Sequence, residues 1–198
     1  MPSAAENLKI GCVLMAAGNS RRYGQNKLSV EVAGQPLIRR ALCAVPAEQL
    51  HAVAVVTQYS EIINAAKEFH FSAVLNEHPE LGASRTVALG LNALPDCDGV
   101  IFQVADQPLL RRESVAALIA LWREHPASIA ALCHDGVRGN PCLFPARFFP
   151  ELLELTGDRG GSAVIRKHPE DILLLEVPAE ELWDVDTPEA MNRLLAHT

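Results

Sequence analysis

The chain has 198 residues, 49% of them hydrophobic, with five cysteines and a formal net charge of −7. That length suits one domain and that apolar share fills a sizeable core. The acidic balance argues against general nucleic-acid or anionic-membrane binding, while a local phosphate site stays open because exposed charges beyond about 8 Å are screened at physiological salt.

Residues 1–7 read as a loose tail. Ile10-Gly11-Cys12-Val13-Leu14 is apolar and partly β-branched, as in a buried parallel strand. The stretch that follows, Met15 to Lys27, therefore leaves the carboxyl end of a strand, where open α/β sheets bind ligands. Small residues at Ala16, Ala17 and Gly18 let a ligand approach the backbone, and free amides in such a turn can form an anion nest. Arg21, Arg22 and Lys27 add positive charge, a set that suits a triphosphate. The competing reading is an ordinary strand-to-helix turn with solvated basic residues. No Gly-Lys-Ser/Thr closes the loop as in a P-loop, and Gly18 and Gly24 are too far apart for a dinucleotide fingerprint.

Ser29 to Val32 reads as a short extended piece, and Gly34-Gln35-Pro36 as the start of a helix reaching about Val45. Ala52 to Thr57 is a buried strand. Ser60 to Phe69 is a helix with Ile62, Ile63, Ala66 and Phe69 on one face, and Ser72 to Leu75 is a third strand. Glu77, Pro79 and Gly82 form a loop before a helix from Ala83 to Leu94, with Ser84 or Thr86 in its first turn. Gly99 to Ala105 is the clearest strand. It ends in Asp106-Gln107-Pro108, where an acid held by a following proline suits a metal ligand, or caps the next turn.

Glu113 to Arg123 is an amphipathic helix carrying Val115, Leu118, Ile119 and Trp122, and Ile129 to Cys133 is a strand. Gly139-Asn140-Pro141 reads as a turn into a strand, and Arg147 to Leu155 as helical. Gly157-Asp158-Arg159-Gly160-Gly161 suggests a helix C-cap and a close approach, with a short helix from Ser162 to His168. Ile172 to Val177 is a strand. Thr187 is placed as an N-cap with Pro188 at the first position of a last helix, Glu189 to Leu195. The alternation predicts an α/β fold: a Rossmann-like three-layer sandwich whose mostly parallel sheet is covered on both faces.

The cysteines are scattered with no C-x-x-C pair, so reduced, partly buried thiols in a cytoplasmic protein are expected. No signal peptide or span of about 20 apolar residues is evident. The seven histidines show no metal-ligand spacing and read as surface or loop residues without function.

Several of these stretches, in this order, resemble the MobA-like nucleotidyltransferases. Their signature, roughly L-A-A/G-G-x-S-x-R-M-G-x-x-K, is matched at Ala16, Ala17, Gly18, Ser20, Arg22, Gly24 and Lys27, with Met15 and Tyr23 departing from it. Gly34, Pro36 and Leu37 match the segment after the lysine. Asn76, Gly82 and Ser84 fit the next motif, although Glu77 stands where proline is usual. Asp106 and Pro108, Gly139 and Pro141, Gly157 to Gly161, and Asp184, Asp186, Thr187 and Pro188 match the rest.

The resemblance implies a single nucleotidyltransferase domain over residues 1–198. It implies a nucleotide site at Ala16, Ala17, Gly18, Ser20, Arg22, Lys27, Asn76, Gly82 and Ser84, the last open to a simple capping role. Catalytic roles fall to Lys27, Arg22 and Asp106, and Mg²⁺ ligation to Asp106 and Asp186. Gly139, Asn140, Pro141, Asp158, Gly160 and Gly161 would face the acceptor, Asp158 and Arg159 being open to a role as plain loop charges. Within the family the likeness is greatest to molybdenum cofactor cytidylyltransferases, since the guanylyltransferase branch more often has a second glycine where Ala17 stands. CTP, a molybdopterin-type acceptor and an apo molybdenum hydroxylase are the implied partners, without nucleic acid or membrane. Open alternatives are a GTP-dependent or other phosphate-acceptor transferase, and a non-catalytic nucleotide-binding maturation factor for molybdenum hydroxylases. A nicotinamide oxidoreductase is disfavoured by the missing fingerprint.

Overall fold

The computed structural model describes residues 7–18, 26–32, 34–185, 187, 190 and 194. Its strands are β1 (Ile10–Ala16), β2 (Glu31–Val32), β3 (Gln35–Pro36), β4 (Ala52–Thr57), β5 (Ser72–Leu75), β6 (Gly99–Val104), β7 (Ile129–His134), β8 (Val137–Pro145) and β9 (Ile172–Glu176). Its helices are α1 (Leu37–Cys43), α2 (Ser60–Glu68), α3 (Ala83–Ala93), α4 (Arg112–Glu124), α5 (Phe149–Leu153) and α6 (Ser162–Ile165). Seven strands form the central sheet in the order β5-β4-β1-β6-β8-β7-β9, and β2 and β3 form a separate small hairpin. Within the central sheet the β6–β8 and β7–β8 pairings are antiparallel and the others are parallel. The expected mostly parallel sheet is therefore present.

Strand periodicity sorts the two faces. In β1, Ile10, Cys12, Leu14 and Ala16 point to the side covered by α1, α2 and α4. Val13 points to the other side, where Val87 of α3, Leu152 of α5 and Val164 of α6 cover it. α3 lies close to β1: a Cβ added at Gly90 would come within 2.3 Å of Val13 Cγ1. The face of α4 is as read from its spacing, with Val115, Leu118, Ile119 and Trp122 buried, while in α2 Ile62 and Ala66 are buried, Phe69 packs beside them and Ile63 is half-buried.

Two local readings are corrected. Gln35 and Pro36 do not open a helix; they pair with Glu31 and Val32, and α1 begins at Leu37. Gly34 at φ +76 allows the chain to reverse there, a conformation that favours glycine. Gly139 to Pro141 is not a turn into a strand but lies inside β8. The reversal falls at Asp135 and Gly136, both at positive φ. Pro141, which has no N–H to give, sits where the β7–β8 register shifts between Ala131 and Cys133, so no ladder bond is lost.

β1, β4, β5 and β6 run parallel, and two antiparallel steps through β8 return β7 and β9 to the same direction. The loops after these strands all open on one edge of the sheet. β8 starts at that edge and ends at the opposite one.

Candidate active site

The rim is built around one contact. Lys27 follows the loop after β1, and Asp106 follows β6, its neighbour in the sheet. Lys27 Nζ lies 2.7 Å from Asp106 Oδ2, with the side chains only 11% and 23% exposed. A hydrogen-bonded ion pair this sheltered is stronger than a solvated surface pair.

Lys27 is held there by its own turn. Asn26 Oδ1 accepts from the Leu28 N–H at 3.1 Å, and Asn26 Nδ2 donates to Glu61 Oε1 at 2.9 Å. That amide bond holds the Glu61 carboxyl below its ordinary range. On the other shoulder of the loop, Gln58 Nε2 donates to the carbonyls of Ala17 (2.9 Å) and Gly18 (3.3 Å), and the Tyr59 hydroxyl donates to Gly18 O at 3.2 Å. Residues Gln58, Tyr59 and Glu61 thus grip both ends of the loop, a role no sequence motif announced. Their place directly after the end of β4, on the ligand edge, was the available signal. Ala16 and Ala17 are buried and Gly18 is exposed. Ser20, Arg21 and Arg22 lie outside the described residues, as does Asp186.

The Asn76 to Ser84 segment flanks this loop across β4. Asn76 is 1% exposed; its Oδ1 accepts from the His78 N–H at 3.1 Å and its Nδ2 donates to Thr86 Oγ1 at 3.5 Å. The side chain therefore shapes the loop from beneath. Gly82, at φ +85, touches the next motif: a Cβ there would lie 2.5 Å from the Gly157 carbonyl carbon and 2.6 Å from Asp158 Oδ1. The Ser84 N–H donates to Gly157 O at 3.1 Å. Segments about 75 residues apart in sequence so form one wall.

A second run of contacts leads from α6 to the Asp106 loop. Arg138 Nη2 donates to Ser162 Oγ at 3.1 Å, and Gly161 sits against the ring of Phe144, where a Cβ would approach to 2.7 Å. Gly139 abuts Leu182, and Leu182 O accepts from Gln107 Nε2 at 3.3 Å. The Val185 N–H donates to Asp106 O at 2.9 Å. Thr187 Oγ1 accepts from the Ala190 N–H at 3.2 Å, the capping contact its position predicts.

The carboxylate of Asp106 is a hard oxygen donor, partly open to solvent, at a strand tip. Such a group suits Mg²⁺, which keeps several waters and is held by one or two carboxylates together with substrate phosphates. Two other groups of possible ligands occur among the described residues: His134, Asp135 and Glu176, and His168, Glu170 and Asp171. Their histidines are engaged with neighbours, His134 Nδ1 with Val177 O at 2.9 Å and His168 Nε2 with Glu151 Oε1 at 2.8 Å.

A cation and an acid meeting on the ligand edge of a mostly parallel sheet suit a phosphate-bearing ligand and its metal ion, and the family match makes the class an α/β nucleotidyltransferase. The MobA-like NTP transferase domain matches residues 12–172, and the chain belongs to that family. It is 30% identical to the purine catabolism protein PucB of Bacillus subtilis over 89% of this chain and 91% of the relative. It is 34% identical to a 2-C-methyl-D-erythritol 4-phosphate cytidylyltransferase of Dehalococcoides mccartyi, covering 94% and 73% respectively. A probable molybdenum cofactor guanylyltransferase of Nostoc is 29% identical, covering 89% and 86%.

Proposed function

We propose that this nucleotidyltransferase joins CMP, taken from CTP, to the terminal phosphate of a molybdopterin-type acceptor. An acceptor phosphate oxygen attacks the α-phosphorus. The new P–O bond forms as the bond to the β-phosphate oxygen breaks, and pyrophosphate leaves. An ionised phosphate is already nucleophilic, so no general base is required. What the protein must supply is alignment and charge neutralisation. Lys27 would exchange its bond to Asp106 for one to the α- and β-phosphates. Arg22 would meet the β- and γ-phosphates, and the amides of the Ala16–Gly18 turn the leaving group. Asp106 and Asp186 would hold Mg²⁺, which when bound offsets the phosphate charge. Asn76, Gly82 and Ser84 would line the base and ribose. Gly139, Asn140, Pro141, Asp158, Gly160 and Gly161 would face the acceptor.

The 2.7 Å contact between Lys27 and Asp106 carries this reading, because it sets the cation proposed for the phosphates beside the acid proposed for the metal. Cytidine is favoured by Ala17, whose methyl group stands where the guanylyl branch more often has glycine, and by the cytidylyltransferase among the relatives. The Nostoc relative, named as a guanylyltransferase, supports the acceptor and makes GTP the second reading. No described helix is long and apolar enough to cross a membrane, in keeping with a cytoplasmic site of action beside an apo molybdenum hydroxylase.

Pyrophosphate release, measured with each nucleoside triphosphate with and without molybdopterin, tests the proposal. Release with CTP that requires molybdopterin is expected. Preference for GTP moves the protein to the guanylyl branch. Tight nucleotide binding without turnover would make it a non-catalytic maturation factor.

A further inference from the structure

Glu181 is a carboxylate with 1% exposure at the edge of the site, and the chemistry above gives it no role. Its Oε2 accepts from the backbone N–H of Arg111 at 3.1 Å, and its Oε1 lies 3.7 Å from Arg111 Nε. Arg111 is the residue before α4 and closes the loop that begins at Asp106. A buried carboxylate is costly unless paired and hydrogen-bonded, and here both partners come from one residue seventy positions away. The bonds of Leu182 O to Gln107 and of Val185 N–H to Asp106 O continue the same seam. The segment from Glu181 to Val185 is therefore fastened to the Asp106 loop at both ends, with Glu181 at the buried end.

We propose that Glu181 is a positioning residue that sets the separation of the two acidic segments, and that the site's affinity for a divalent cation depends on it. This deepens the nucleotidyl-transfer reading and rests on it. Glu181 is too deeply buried to touch nucleotide or cation, so its effect passes through the seam. The seam is held by the Arg111 N–H bond, which needs only an acceptor oxygen in that place, whereas the 3.7 Å approach to Arg111 Nε is too long for a hydrogen bond.

The test measures Mn²⁺ binding to nucleotide-free protein by electron paramagnetic resonance, beside the Mg²⁺ dependence of turnover. Glu181→Ala should weaken Mn²⁺ binding and raise the half-saturating Mg²⁺ by about tenfold, the scale seen when outer partners of metal ligands are removed. KM for the nucleotide at saturating Mg²⁺ should stay near the parent value. Glu181→Gln, which retains an acceptor oxygen, should stay close to the parent throughout. Should Glu181→Ala not fold, Glu181→Asp, one methylene shorter, gives the same readout, weaker Mn²⁺ binding being expected. Parent-like Mn²⁺ affinity in the folded Ala or Asp variant overturns the inference and leaves the transferase reading standing. Equal damage by Gln and Ala also overturns it, because charge and not placement would then be at work. A parent protein that neither binds Mn²⁺ nor releases pyrophosphate removes the transferase reading, and this inference with it.

Discussion

Replacing Lys27 with methionine should make the protein bind divalent cations more tightly while disabling it. Methionine keeps most of the length of lysine and removes the ammonium. The bare attraction across 2.7 Å comes to about 6 kcal/mol at an effective dielectric of about 20. Desolvation of both groups offsets much of that, and hydrogen bonds to charged groups net about 1.5–3 kcal/mol. A cation arriving at Asp106 in the parent protein must first displace the ammonium, so it forfeits that amount. Without Lys27 the forfeit disappears, and Mn²⁺ affinity in the absence of nucleotide should rise by about 10- to 150-fold. Turnover should fall by about 10²- to 10³-fold, the usual loss when one stabilising donor is taken from a transition state. Isothermal titration calorimetry with Mn²⁺ measures the first effect and pyrophosphate release the second. Adding Asp106→Asn to the methionine variant should abolish the gain in affinity. If the methionine variant binds Mn²⁺ no better than the parent, Lys27 and the cation do not compete for Asp106, and the electrostatic account of the rim is wrong.

Gly82→Ala should be destabilising, because its Cβ would lie 2.5 Å from backbone at Gly157 and its φ is +85. A cost of about 1–3 kcal/mol is expected, lowering the thermal midpoint by about 2–4 °C per kcal/mol; an unchanged midpoint would contradict the contact. Thiol labelling at pH 8 should begin at exposed Cys43, with Cys12 and Cys133 reacting only on unfolding, since burial pushes their thiols to about 12 and about 11. Labelling of Cys12 as fast as Cys43 would refute this. Glu61, held low by Asn26, adds stability above the ordinary carboxylate range, and this is lost as pH falls through its depressed value. The stability gap between the parent and Asn26→Ala should therefore narrow on acidification below about pH 4, and a gap that widens would refute the linkage.

Strong periodicity made much of the framework readable. β4 begins and ends where its apolar run does, and the buried face of α4 is the one its spacing gives, because both signals are local and uninterrupted. Pro36 misled because proline suits a first helical turn and also an extended cap, and the pairing with Glu31 chose the latter. Pro141 misled because proline normally ends a strand. The Asp135-Gly136 pair, a recognised hairpin signal, was the better marker. At the site, Lys27 and Asp106 were legible as motif members, but their contact spans 79 positions. Glu181 carries no motif, and its partners, the N–H and guanidinium of Arg111, lie far away in the chain.

β8 divides its own nine residues into two trades. From Val137 to Asn140 they are exposed or half-covered; from Pro141 to Pro145 they are buried. Because this strand runs against its neighbours, only its opening residues reach the rim. A library aimed at the rim can therefore vary Arg138 and Asn140, while a side chain at Gly139 would press on Leu182 at 3.0 Å and every change further along draws on the stability of the sheet.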